Sequence, residues 1–296
     1  MSDVASALQP LSDQLARIAD LLGRLLPPEP ALALREEVIA YVWEHCAQAG
    51  GSQACLTGIA EPSLIGFDDL RNVDRQKGLI EQNTRQFVQG RPANNVLLTG
   101  ARGTGKSSLV KACLHAFHSE GLRLIEVDKA HLGDLPRIIE LVRQRPERFI
   151  LFCDDLSFED GETGYKALKT VLDGTVAGQA ANTLVYATSN RRHLLAERAD
   201  DNLAFQRGDN GELHPGEAIE EKISLSERFG LWISFYAFSQ DEYLAAVARW
   251  LQAYGLGEQV LEACRAEALR WSTQRGSRSG RIAAQFARDY AGRQPR

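Results

Sequence analysis

Four residues in the stretch "LLTGARGTGKSSLV" stand at a spacing that can do chemistry: Gly100, Gly105, Lys106 and Ser107 satisfy G-x-x-x-x-G-K-[ST]. The pattern carries weight only between a strand and a helix. Here "NVLLTG" precedes it as a short apolar run, and "KSSLVKACLHAF" follows with helical spacing. A glycine-rich loop of this kind can curl until successive N–H groups face one anion, and the next helix turns its positive end toward the same point. The loop from Gly100 through Ala101, Arg102, Gly103, Thr104 and Gly105 to Ser108 is therefore read as a phosphate cradle. Lys106 is expected to reach the β- and γ-phosphates, and Ser107 to ligate Mg²⁺.

A second run, "RFILFCDD", ends in Asp154 and Asp155. An acid at the end of a buried strand next to a phosphate loop can hold the Mg²⁺ that bridges two phosphates, which is the role expected of Asp154. Asp155, one residue on, becomes the candidate base or water-orienting group. Asn190 ends the run "LVYATSN", in a position to hold an attacking water. No N-K-x-D guanine reader occurs, "VDKA" being the nearest approach, so ATP is expected rather than GTP, and water rather than an organic acceptor. The phosphate loop alone leaves a motor, a kinase and a nucleotide-gated switch open.

These residues need a scaffold. From Asn94 onward, "NVLLTG", "LRLIEVD", "RFILFCDD", "TLVYATSN" and "LWISFYAF" are continuous apolar strands, as expected of a parallel sheet covered on both faces. Helical spacing in "KSSLVKACLHAF", "DLPRIIELVRQ" and "GYKALKTVL" supplies the cover, so the expected fold is a three-layer α/β sandwich with a parallel sheet. After Phe238 the strands stop. Ser239 and Glu242 form a capping box ahead of Leu244, Val247, Leu251 and Tyr254, and further helices are expected near 257–273 and 279–290, making an all-helical lid.

Upstream, Leu8, Leu11, Leu15, Ile18, Leu22 and Leu25 line a helical stripe, and Leu34, Val38, Val42 and His45 suggest a second helix ending at Gly50–Gly51. The expected division is an N-terminal helical hairpin over 1–58, the α/β unit over 59–238 and the helical lid over 239–296.

Composition narrows the rest. The 296-residue chain is 44% hydrophobic and 25% charged with a net charge of −5, an ordinary globular balance that gives no global argument for nucleic acid. The N-terminus lacks a basic, apolar leader and no run approaches a membrane span, so a cytoplasmic protein is expected. Cys46, Cys55, Cys113, Cys153 and Cys264 form no C-x-x-C pair and are expected to be buried free thiols. The long polar segment between Asn190 and Arg228 is a candidate partner contact, and its His193 and His214 lack metal-ligand spacing. The C-terminal arginines, among them Arg265, Arg270, Arg275, Arg288 and Arg293, could track a nucleic acid, but no aromatic platform accompanies them.

A phosphate loop, a strand ending in two acids, a polar strand end, the turn "SERFG" and a helical tail occur in the order found in AAA+ ATPases. More narrowly, "GARGTGKSSLVKA", "RPERFILFCDDLSFE", "YATSNRRHL" and "LSERFGLWISFY" resemble the AAA+ family called domain of unknown function 815. The resemblance implies that Asn190 is a sensor, that Arg228 is an arginine finger and that Arg281, with Arg278 competing, is the lid arginine that closes over the γ-phosphate. It implies that "LIGFDDLRNVDRQKGLIEQN" helps enclose adenine. Asp155 departs from the glutamate usual in AAA+ proteins, which leaves its side chain one methylene shorter. A finger acting in trans would make the protein a homo-oligomer, plausibly a hexameric ring, acting on a protein or nucleic-acid partner.

Overall fold

The computed structural model describes residues 34–35, 37–48, 51–158, 163–174, 180–190, 225–257 and 259–294, with the isolated positions 14, 17, 206, 207, 213 and 214. The leucine stripe over 8–26 and nearly all of the polar segment from Arg191 to Ser224 lie outside these residues.

The order of elements begins with β1 (Ala40–Gln48), β2 (Gly51–Gly58), α1 (Asp74–Val88), β3 (Val96–Gly100), α2 (Lys106–Phe117) and β4 (Leu122–Val127). It continues with α3 (Leu135–Val142), β5 (Arg148–Cys153), α4 (Thr163–Asp173), β6 (Thr183–Ser189) and the short antiparallel pair β7 (Gln206–Arg207) and β8 (Leu213–His214). The edge strand β9 (Leu231–Phe235) and the helices α5 (Gln240–Ala253), α6 (Gln259–Gln274) and α7 (Gly280–Gly292) complete it.

Among the described residues, seven strands form one sheet in the order β2-β1-β4-β5-β6-β3-β9. All neighbours pair in parallel except β1 with β2. Successive side chains of a strand point to opposite faces, and β3 shows it: Leu97 packs into one core with Leu151, Val185 and the apolar side of α3 and α4. Val96 and Leu98 pack into the other, with Leu109, Cys113 and Phe117 of α2 and Ile80 and Phe87 of α1. These two cores make the three layers expected from the continuous apolar strands. The lid has a core of its own, built on Tyr243, Val247, Leu251, Cys264 and Phe286. Its first helix starts at the expected capping box, with the Ser239 hydroxyl accepting from the Glu242 N–H and the Glu242 carboxylate accepting from the Ser239 N–H.

Two expectations are corrected. Residues 40–58 are not the second arm of a helical hairpin; they are the β-hairpin β1–β2, which extends the sheet beyond β4. The i, i+4 spacing of Val38 and Val42 competed with an alternation in which Tyr41 and Trp43 face inward, and the free edge of β4 decides for the strand through the pairs Ala40↔Leu124 to Trp43↔Val127. The cysteines also divide. Cys113, Cys153 and Cys264 are buried free thiols, whereas Cys46 and Cys55 are joined as a disulfide across the hairpin. Among the described residues, no helix is long and apolar enough to cross a membrane.

Candidate functional site

Three strands deliver the expected residues to the carboxyl edge of the sheet. β3 runs into the glycine-rich loop, β5 ends just before Asp154, and β6 ends just before Asn190; β3 and β5 each pair with β6 in parallel register. Gly105 caps the start of α2 with φ 100°, a left-handed turn that frees the first N–H groups of the helix. Gly103 has φ 75°, and a Cβ there would lie 2.8 Å from Ser279 Oγ and 2.9 Å from Arg281 Cβ. The loop therefore touches the start of α7 directly, and the Arg281 N–H donates to the Gly103 carbonyl at 3.2 Å.

Lys106 is only 6% exposed. Its ammonium donates to the carbonyls of Gly100 at 2.7 Å and Ala101 at 2.8 Å and to Asn190 Oδ1 at 3.0 Å. Burial lowers its pKa to about 8, against the pull of the Asp154 and Asp155 carboxylates, which favour the charged form.

The Ser107 hydroxyl donates to Asp154 Oδ1 at 2.7 Å, and the Thr188 hydroxyl donates to the same oxygen at 2.5 Å. Thr188 Oγ1 in turn accepts the Asp155 N–H at 2.9 Å. A hydroxyl and a carboxylate oxygen at contact distance are the hard donor set that suits Mg²⁺, so the residues present fit that ion. Asp155 has φ 51°. Its carboxylate accepts from Asn190 Nδ2 and faces the Arg102 guanidinium at 3.6 Å. Lys106, Asn190, Asp155 and Arg102 thus form one chain of polar contacts.

The cleft above the loop holds about 500 Å³. Its floor is Arg102 to Ser108 with Asp154, Asp155 and Asn190; one wall comes from Ile65, Leu70 and Val73, within the segment expected to enclose adenine. A second wall is formed by Phe238, just ahead of the lid, with Trp250 and Arg281 of the lid. An ion pair between Arg249 and Asp69 at 3.2 Å joins the two walls. Arg281 lines the cleft; Arg278 uses its carbonyl to accept the Phe238 N–H at 3.1 Å.

Arg228 is not brought to this cleft. Its Nε donates to Asp173 Oδ1 at 2.6 Å, at the end of α4. The register between β3 and β9 pairs Val96 with Leu231 and Gly100 with Phe235. Arg228 precedes the amino end of β9, and the phosphate loop follows the carboxyl end of β3, so about 13 Å of strand at 3.3 Å per residue separates the two levels.

Thr188, Phe238, Trp250 and the Arg249–Asp69 pair were not foreseen. Thr188 had only the signal of an ordinary threonine near the end of a strand. The lid residues had none, since helical spacing says which face is buried and not which part of that face meets another domain.

The family described as protein of unknown function (DUF815) matches residues 36–294. A curated relative, the 26S proteasome regulatory subunit 6B homolog of Schizosaccharomyces pombe, is 28% identical over 212 residues, covering 62% of this chain and 54% of the relative. The chain thus spans about half the length of that relative. Among solved structures, the RuvB Holliday junction branch migration motor of Thermotoga maritima is similar at a TM-score of 0.47 and 18% identity, over 76% of this chain and 61% of that one. A variant of the same RuvB gives 0.49 and 15%, over 75% and 63%. With the family match running over most of its length, and a P-loop at the carboxyl edge of a mainly parallel sheet, this chain belongs to the DUF815 family.

Proposed function

We propose that the chain binds Mg²⁺–ATP in this cleft, hydrolyses it with the help of a neighbouring copy, and uses the cycle to remodel or load a protein or nucleic-acid partner in the cytoplasm. The observation that carries this reading is the separation of charges: Lys106, Ser107, Asp154, Asp155 and Asn190 converge at one edge of the sheet, while Arg228 stands at the other. The cleft has what binding needs, and Arg228 is not among the residues that line it.

The roles follow from the contacts. The loop N–H groups and the Lys106 ammonium would bind the phosphates, with Lys106 exchanging its carbonyl partners for phosphate oxygens. Ser107 and Asp154 would hold Mg²⁺, whose charge offsets that of the phosphates. Thr188 orients Asp154. Asn190 spans Lys106 and Asp155, so it can align a water between the phosphate end and the acid, and Asp155 can accept that water's proton. Arg281 enters the cleft from the lid and would report its closure. Arg228 of one copy would stabilise the transition state in the next, which makes a homo-oligomeric, hexameric ring the working assembly.

A second reading has one observation in its favour. The Asp155 carboxylate is engaged by Asn190 and Arg102 and is a methylene shorter than glutamate. An acid so held suits an ATP-gated binding module with negligible turnover. The hydrolysis rate per subunit, measured across protein concentration, separates the two. Completion in trans predicts a steep rise as subunits associate; a flat, measurable rate contradicts it, and tight ATP binding without turnover supports the gated module.

A further inference from the structure

Away from the cleft, His45 of β1 meets His131 and Asp134 of the turn that precedes α3. Their candidate ligand atoms all lie within 4.8 Å of one another. Three elements of geometry hold them there. Trp43 and His45 are two residues apart on β1 and share a face, with Trp43 buried in the core and His45 just beyond it. His131 and Asp134 are three apart on the 3-10 turn Lys129–Asp134, where side chains at i and i+3 eclipse. The two imidazoles stack at 4.4 Å between centroids and 24° between planes.

The carboxylate is the pivot. Asp134 Oδ2 lies 3.0 Å from His45 Nε2 and accepts the indole N–H of Trp43 at 2.9 Å. A ligating carboxylate is ordinarily oriented by an outer hydrogen-bond donor, and the buried Trp43 indole supplies one. The cluster is also open to solvent, with 40% of the His45 side chain and 28% of that of Asp134 exposed, so an ion can enter and retain water.

We propose that His45, His131 and Asp134 form a binding site for a divalent transition metal of the Zn²⁺ class. Two imidazoles and one carboxylate are the donor set such ions take, with the remaining coordination left to water. The bound ion would pin β1 to the turn that leads into α3, and so fix the edge hairpin to the sheet. The site is independent of the nucleotide reading, because none of its residues lines the cleft.

The test is Zn²⁺ titration of the full chain without nucleotide or reductant, so that the Cys46–Cys55 disulfide stays closed. Imidazole nitrogen shifts are followed by NMR. The expected result is stoichiometric binding that moves the His45 and His131 resonances and leaves those of His115 and His118 in place. His131→Asn and His45→Ala should each weaken affinity at least tenfold, and Trp43→Phe should weaken it by roughly ten- to a hundredfold through the carboxylate it orients. His131→Asn is the decisive variant should Trp43→Phe fail to fold, because His131 is not part of either sheet core. No stoichiometric Zn²⁺ binding, or an affinity that His131→Asn and His45→Ala leave unchanged, overturns the proposal.

Discussion

The two edges of the central sheet treat charge in opposite ways. At the carboxyl edge, charges of both signs are drawn together, with Lys106 sunk among carbonyls and the Asn190 amide while Asp154 collects two hydroxyl donors. At the amino edge, Arg228 is paired with Asp173 and is not among the residues that line the cleft. Binding needs preorganised groups within one chain, whereas a group that acts only when subunits meet must remain presentable. Under the proposed function, binding belongs to one edge and completion of a neighbour's site to the other.

The largest break in that contrast is Arg228→Ala. Loss of an arginine acting on a neighbour's site should lower the hydrolysis rate by about 10³–10⁵-fold while leaving ATP affinity nearly unchanged. Lys106→Ala attacks the other edge. Each charge-assisted hydrogen bond to phosphate that is lost should cost about 1.5–3 kcal/mol, so ATP affinity should fall by roughly tenfold to a hundredfold in equilibrium binding. Gly103→Ala tests the seam between loop and lid: the added methyl meets Ser279 and Arg281 on a left-handed backbone. A loss of about 1–3 kcal/mol in denaturant unfolding is expected, with weaker closure over nucleotide.

The smallest effect is a pH dependence with two opposite slopes. Burial lowers Lys106 to about 8 in the folded, nucleotide-free chain, below its unfolded value. Between about 8 and the ordinary lysine range the unfolded chain binds more protons, so stability should rise with pH across that window. Phosphate prefers the ammonium form, so ATP affinity should fall across the same window, by at most about tenfold per pH unit. Calorimetry in buffers of different ionisation enthalpy should register the proton taken up.

Much of the sheet was legible because its strands are buried on both faces and read as unbroken apolar runs. The phosphate loop was legible because its glycines and Lys106 are fixed by local backbone geometry. The hairpin β1–β2 was not, since "AYVWEHCAQ" satisfies both a helical and an alternating pattern, and only the exposed edge of β4 chooses between them. The Asp173 partner of Arg228 lies 55 residues away in sequence, and no local rule pairs them. Thr188 was hidden for a different reason: a threonine on a strand is ordinary until Asp154 is seen beside it.

The most direct test of completion in trans is to mix two inactive proteins. Arg228→Ala retains the binding edge and Lys106→Ala retains the arginine, so mixed assemblies contain some sites with both. Completion in trans predicts ATP hydrolysis in the mixture well above the sum of the separate variants. A mixture no more active than that sum, with both variants folded and associating with wild-type chains, would contradict it.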